Sequence, residues 1–102
     1  MHVYLVQHGK ATTSVEDPQR RLTVEGREGV EQMANFLGNL RISISLIQHS
    51  GKLRAEETAH ILCENMRVTG GPCKLSGLEP GDEPTEVVNF LNAYTDDVLI
   101  VG

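Results

Sequence analysis

No stretch of the 102-residue sequence approaches the ~20 consecutive apolar residues of a membrane-spanning helix. The N-terminus lacks the basic head of a secretory signal, and its apolar run at residues 3–6 is too short for the core of one, so a cytoplasmic protein is expected. An excess of basic residues is lacking too: nine Lys and Arg stand against 14 Asp and Glu, a formal net charge of −5. That balance excludes a nucleic-acid role built on a general basic surface, and any phosphate must be held by a few locally placed groups. Cysteine occurs only at Cys63 and Cys73, too few for a disulfide framework and expected as reduced thiols. The four histidines, His2, His8, His49 and His60, lack H-x-x-x-H spacing, and the cysteines lack C-x-x-C spacing. No metal or other cofactor is therefore expected. Repeats and low-complexity linkers are missing, and a chain this size makes one domain that buries roughly two-thirds of its unfolded surface.

What the sequence does carry is an alternation of strand and helix patterns. Val3, Tyr4 and Val6 are β-formers and the run breaks at Gln7-His8-Gly9, so a buried first strand over residues 2–6 should empty into a glycine loop. Residues 11–21 are polar and contain Asp17-Pro18, the mark of an irregular connection. Thr23 stands where an N-cap belongs, ahead of Val24, Val30, Met33, Ala34 and Leu37 at helical spacing. A helix over 24 to about 40 follows, weakened in its first turn by about 1 kcal/mol at Gly26. Residues 42–48 read as a strand entering a covered sheet, His49-Ser50-Gly51-Lys52 as a loop, and 53 to about 66 as a second helix with Leu53, Ile61, Leu62 and Met66 inward. Thr69-Gly70-Gly71-Pro72 breaks that unit, and a brief third strand is expected over 74–78. After the acidic turn at 79–84, Asp82 or Thr85 can cap a third helix that runs to about Tyr94 and buries Val87, Val88, Leu91 and Tyr94. Residues 98–102 have the pattern of a fully buried strand.

Strands alternating with helices imply βαβ units, hence an α/β, three-layer α/β/α fold around a mostly parallel sheet, formed by one domain over 1–102. Because a buried parallel strand needs neighbours and cover on both faces, a domain breaking off at Gly102 is expected to lack its C-terminal part.

In such a sheet the loops after the first and second strands meet at the carboxyl edge, where ligands bind. His8 follows the first strand and Arg54 lies in the first turn of the second helix, whose N-terminus favours anions, so the pair makes a phosphate site. These segments resemble a known family. Leu5-Val6-Gln7-His8-Gly9 resembles the R-H-G signature of the histidine phosphatase (phosphoglycerate mutase-like) superfamily, and Ser50-Gly51-Lys52-Leu53-Arg54-Ala55-Glu56-Glu57-Thr58-Ala59 resembles its S-x-x-x-R-A-x-x-T-A segment. Arg20-Arg21-Leu22-Thr23-Val24-Glu25-Gly26 resembles the R-P-L-T-x-x-G segment of its small branch, the SixA-type phosphohistidine phosphatases.

The resemblance implies a phosphoglycerate mutase-like fold and a two-step phosphoryl transfer. His8 is the nucleophile, Arg54 and Arg20 bind the phosphoryl oxygens, Gln7 and Gly9 belong to the phosphate-binding loop, and water releases phosphate from phospho-His8. The imidazole must be neutral to attack, with its second nitrogen held by an acceptor for which the Gly9 carbonyl is the candidate. Gln7 stands where the superfamily has arginine and leaves only amide donors there. Lys10 either restores local charge or is a solvated loop lysine, and Arg21, in place of proline, either reaches the phosphate or faces water. The family places a second histidine just after the strand at 98–102, which these 102 residues lack: if they are a fragment the next residue is expected to be His, and if they are the whole molecule phosphatase activity is expected to be weak or absent. For the general acid, Asp82 is preferred over Glu83, Glu79 and Glu86, the alternative being helix capping. With no room for a cap domain between His8 and Arg54 the cleft should be open, which suits phosphohistidine on a partner protein such as a histidine-containing phosphotransfer domain. Hydrolysis of small phosphomonoesters or sugar phosphates, and a non-catalytic phosphate-binding module, are the alternatives. His49 and His60 read as structural, and Cys63 as a small core hydrophobe.

Overall fold

Four consecutive apolar residues, β6 (Val98–Val101), are at most 3% exposed in the computed structural model, which describes residues 2–78 and 81–102. They can leave water because β6 has a partner on each side: β1 (Val3–Val6) on one and β3 (Leu46–His49) on the other, all parallel. β5 (Cys73–Lys74) extends the sheet beyond β3, giving the order β1-β6-β3-β5. This is the expected α/β fold with a mostly parallel sheet. In register, Val6, Val101 and His49 form one row across it, so the chain leaves three neighbouring strands at the same edge. Backbone bonds tie those exits together: His8 N–H donates to Gly102 O (3.1 Å), Gly102 N–H to Val6 O (3.0 Å) and Ser50 N–H to Val101 O (3.2 Å).

One face of the sheet is covered by α1 (Val24–Asn39) and α2 (Leu53–Asn65), whose Val30, Ala34, Ala55, Ala59, Ile61 and Leu62 close a core with Ile47, Leu99 and Val101. α1 begins where its cap predicts, the Thr23 hydroxyl accepting from Gly26 N at 2.9 Å. Gly26 itself is a requirement rather than a weakness: a Cβ there would collide with the Lys10 carbonyl, because the loop after β1 crosses the helix at that point. That loop is pinned by Thr23 N–H to Lys10 O (2.9 Å) and by an antiparallel bridge between Ala11 and Leu22.

Several expectations need correction. The first strand is not buried: β1 is a sheet edge among the described residues, and Leu5 is 78% exposed. The single strand expected over 42–48 is two, β2 (Ser43–Ile44) and β3, because Ser45 turns aside to donate its N–H to Asp97 O at 2.9 Å. β2 then pairs with β4 (Arg67–Val68), a strand too short to announce itself. The third strand lies earlier than expected, at β5, and the turn at Gly77 (φ 95°) prevents its running to residue 78. The N-cap position of α3 (Thr85–Ala93) falls on Pro84 rather than on Asp82 or Thr85, and the helix buries none of its residues fully. Val88 is exposed and Val87, Leu91 and Tyr94 are half-buried, Tyr94 stacking on Phe90 of its own helix at 5.1 Å. Among the described residues no helix is long and apolar enough to cross a membrane.

Candidate active site

β1 delivers Gln7-His8-Gly9 to the carboxyl edge, and the loop there passes tightly beneath α1. A Cβ at Gly9 would stand 2.7 Å from Val30 Cγ2 and 3.0 Å from Gly26 O, which is why glycine follows His8. The His8 imidazole is held from both sides, with Nδ1 2.8 Å from the Gly9 carbonyl and Nε2 3.1 Å from Arg54 Nε. A carbonyl only accepts and the guanidinium N–H only donates, so Nδ1 carries the proton and Nε2 presents a lone pair. This is the neutral imidazole that a nucleophile requires, with the Gly9 carbonyl in the place anticipated for it.

Arg54 comes from the first turn of α2, whose N-terminal end carries the positive pole of the helix dipole. It lines an open cleft of about 480 Å³ together with Gly51, Lys52, Leu53, Pro18, Gln19 and Arg20. The structure thus lines one cleft with two arginines 34 residues apart in sequence, each a planar fork of the shape that matches phosphate oxygens. Arg20 sits in the left-handed region (φ 51°), a conformation that costs a non-glycine residue about 1 kcal/mol. It is held there by its N–H to Asp17 O (2.9 Å) and by Nε to Thr12 O (3.0 Å).

Other candidates lie elsewhere. Gln7 is exposed and lines neighbouring hollows, one with Lys10 and Gly26 and one with Leu5, Leu78 and Ile100, rather than the arginine cleft. Lys10 is paired with Glu25 at 2.9 Å, and this bond raises the lysine pKa and lowers that of the glutamate. Its charge is therefore offset rather than offered to a ligand. Arg21 turns to Asp17 (2.8 Å), whose carboxyl is held below its ordinary range first by the backbone N–H of Arg21 and then by that of Gln19. Asp82 lines a separate cleft with Ser76, Gly77, Glu83, Thr85 and Glu86, while Glu79 lies outside the described residues. Among the described residues no group of three or more His, Cys, Asp or Glu side chains could hold a metal ion.

Two residues that brace the site were given no role in the sequence reading, although Thr58 stands in the S-x-x-x-R-A-x-x-T-A segment. Thr58, fully buried, accepts from Gly9 N (3.1 Å) and donates to Arg54 O (2.8 Å), linking the His8 loop to the helix that carries Arg54. Glu57 accepts from Leu22 N (2.9 Å) and pairs with Arg27 (2.5 Å), linking the segment after Arg20 to the same helix. Their signal was positional: they follow Arg54 by three and four residues, on its side of α2.

No protein-family model matches the chain. It is 28% identical over 107 residues to the phosphohistidine phosphatase SixA of Escherichia coli K12, in a match that takes in the whole chain and 66% of that protein. The chain therefore spans slightly under two-thirds of the length of the curated relative it matches. The protein histidine phosphatase SixA complexed with tungstate superposes with a TM-score of 0.86 at 27% identity, covering 100% of this chain and 69% of that one. The putative phosphohistidine phosphatase SixA of Agrobacterium tumefaciens gives a TM-score of 0.80 at 22% identity, covering 98% and 66%. A phosphoglycerate mutase from Plasmodium falciparum gives 0.61 at 22% identity, covering 98% and 59%, a likeness of fold.

Proposed function

Because the chain is a homologue of the SixA phosphohistidine phosphatases, within the histidine phosphatase (phosphoglycerate mutase-like) superfamily, we propose that it is a phosphatase working through a phosphohistidine formed on His8. The observation that carries this reading is the His8 imidazole, with its Nδ1 proton given to Gly9 O at 2.8 Å and its Nε2 lone pair aimed at Arg54 at 3.1 Å. In the first step the phosphoryl oxygens settle between Arg20 and Arg54, and Arg54 exchanges its bond to Nε2 for bonds to the incoming oxygens. The Nε2 lone pair then attacks phosphorus, and a P–N bond forms as the bond to the leaving group breaks. The leaving group departs with a proton; our candidate donor is Asp82, which has to reach it from the separate cleft that it lines. In the second step water attacks phosphorus, loses a proton to solvent and displaces Nε2, which regenerates neutral His8 and orthophosphate. With Gln7 outside the cleft, the two arginines supply the fixed positive charge, worth several kcal/mol where the transferring group's charge develops.

The substrate we favour is phosphohistidine on a partner protein, such as a histidine-containing phosphotransfer domain, in the cytoplasm. The arginine cleft is open, and the chain between His8 and Arg54 is spent on α1, β2, β3 and the loops that join them rather than on a cap. The test is to incubate the protein and H8A with a labelled phosphotransfer domain and quench without acid. Loss of label with the wild-type protein alone, together with an acid-labile, base-stable adduct on it, is expected. Label that persists equally with both proteins sinks the proposal, and phosphate binding without an adduct identifies a binding module instead.

A further inference from the structure

His49 takes no part in the steps above, yet it is buried, 7% exposed, at the C-terminal end of β3. Its Nδ1 lies 3.1 Å from Gly51 N, so the ring accepts the amide proton there. Gly51 has φ 94° and lines the cleft beside Lys52 and Arg54. Lys74, the register partner of His49, lies across Gly51 so closely that a Cβ there would stand 2.7 Å from Lys74 Cε. Gly51 is thus gripped through its amide by one side chain and packed against by another, at the point where the chain enters the arginine cleft.

We propose that His49 is a positioning residue that fixes the Gly51 end of the phosphate-binding loop only while its imidazole is neutral, so that protonating His49 releases the loop and weakens the hold on phosphate. This rests on the reading of the arginine cleft as a phosphate site. When Nδ1 gains a proton it changes from acceptor to donor, two N–H groups face each other, and the Gly51 amide loses its partner. The charged groups facing His49 are Glu56 and His60 from α2 and Lys74 from β5, whereas β6 presents Val101 in register. Burial holds the His49 pKa down, Glu56 opposes it, and His60 and Lys74 push it down again. Release therefore falls on the acid side of the ordinary histidine value of about 6.5.

The experiment compares the wild type with H49N, whose amide oxygen accepts at any pH, and with H49L, which cannot accept. Without ligand, the Gly51 amide resonance is followed by NMR from pH 8 to pH 5. In the wild type it should shift with the midpoint of the His49 ring, and in H49N it should stay still. The affinity for inorganic phosphate is then taken at each pH as the ratio of wild type to H49N, so that the ionisation of phosphate cancels. The ratio should be near one at pH 8 and fall roughly 3- to 10-fold by pH 5, the worth of one hydrogen bond, while H49L binds weakly throughout. A Gly51 amide indifferent to the His49 titration overturns the clamp, and a flat affinity ratio overturns its effect on phosphate. Should neither wild type nor H49N bind phosphate at pH 8, the reading of the cleft fails and takes the phosphate half of the inference with it, while the Gly51 amide still decides the clamp.

Discussion

Replacing Thr58 by valine tests whether one hydroxyl braces the candidate site. Valine keeps the shape of threonine, so the change opens no cavity in a position that is 0% exposed. It removes the acceptor of Gly9 N at 3.1 Å and the donor to Arg54 O at 2.8 Å. The Arg54 carbonyl keeps its place in the helical ladder, but the Gly9 N–H is left unpaired, which costs about 1–3 kcal/mol. Taking about 2 kcal/mol, the melting temperature of a domain this size falls by roughly 8–16 °C. T58S keeps the hydroxyl and gives up a buried methyl, about 1 kcal/mol, while T58A suffers both losses, about 3 kcal/mol. Thermal unfolding followed by circular dichroism should therefore rank wild type, T58S, T58V and T58A in that order. Single-turnover phosphorylation of His8 should slow at least about 10-fold in T58V, the equivalent of about 1.4 kcal/mol of transition-state alignment. If T58V melts at or above T58S, or phosphorylates at the wild-type rate, the hydroxyl is not the brace between the two loops.

Other substitutions probe separate parts of the structure. R54K keeps a charge but loses the planar fork and the Nε–H that reaches His8 at 3.1 Å, so kcat/KM should fall by about 100-fold; steady-state rates within 3-fold of wild type would contradict that role. G26A should cost more than about 2 kcal/mol in urea unfolding, because its methyl meets the Lys10 carbonyl. G29A, with nothing within 4 Å of its Cβ, should instead gain about 0.5–1 kcal/mol. As proton donor, Asp82 matters most for a poor leaving group, so D82N should lower kcat at least about 100-fold on an alkyl phosphomonoester and far less on phosphohistidine; equal effects on both substrates remove Asp82 from that role.

The parts of the fold that were legible are those decided locally or by sustained apolarity. Thr23 could be recognised as a cap because its bond partner, Gly26, lies three residues away. β6 was recognisable because only a strand covered on both faces tolerates four apolar residues in succession. Gly26 was misread as a weakness because the carbonyl that requires it belongs to Lys10, across a loop. The break at Ser45 depends on Asp97, 52 residues away, and leaves no trace in the 42–48 pattern. α3 has the spacing of a buried face but is not fully buried, since periodicity states which residues share a side and not what lies opposite. In the site, the meeting of His8 and Arg54 followed from parallel strands, and Arg20 joined them only through the family resemblance, whereas the fates of Lys10 and Arg21 were set by Glu25 and Asp17, whose nearness is a property of the folded loop.

The row formed by Val6, Val101 and His49 has a bearing on how such a site can change over generations. Since the exits are aligned by strand pairing, one residue gained or lost within β1 or β3 would turn His8 or the Gly51 loop to the opposite side of the sheet. The connection over residues 10–22 is freer, because its ends are tied by Lys10 to Thr23 and by Ala11 to Leu22. Between those ties its tip can lengthen, shorten or exchange residues while His8 stays in place. Arg20, at the end of that tip on the cleft wall, is held by Asp17 and Thr12, so variation elsewhere in the tip can change what surrounds the cleft while His8 and Arg20 keep their places.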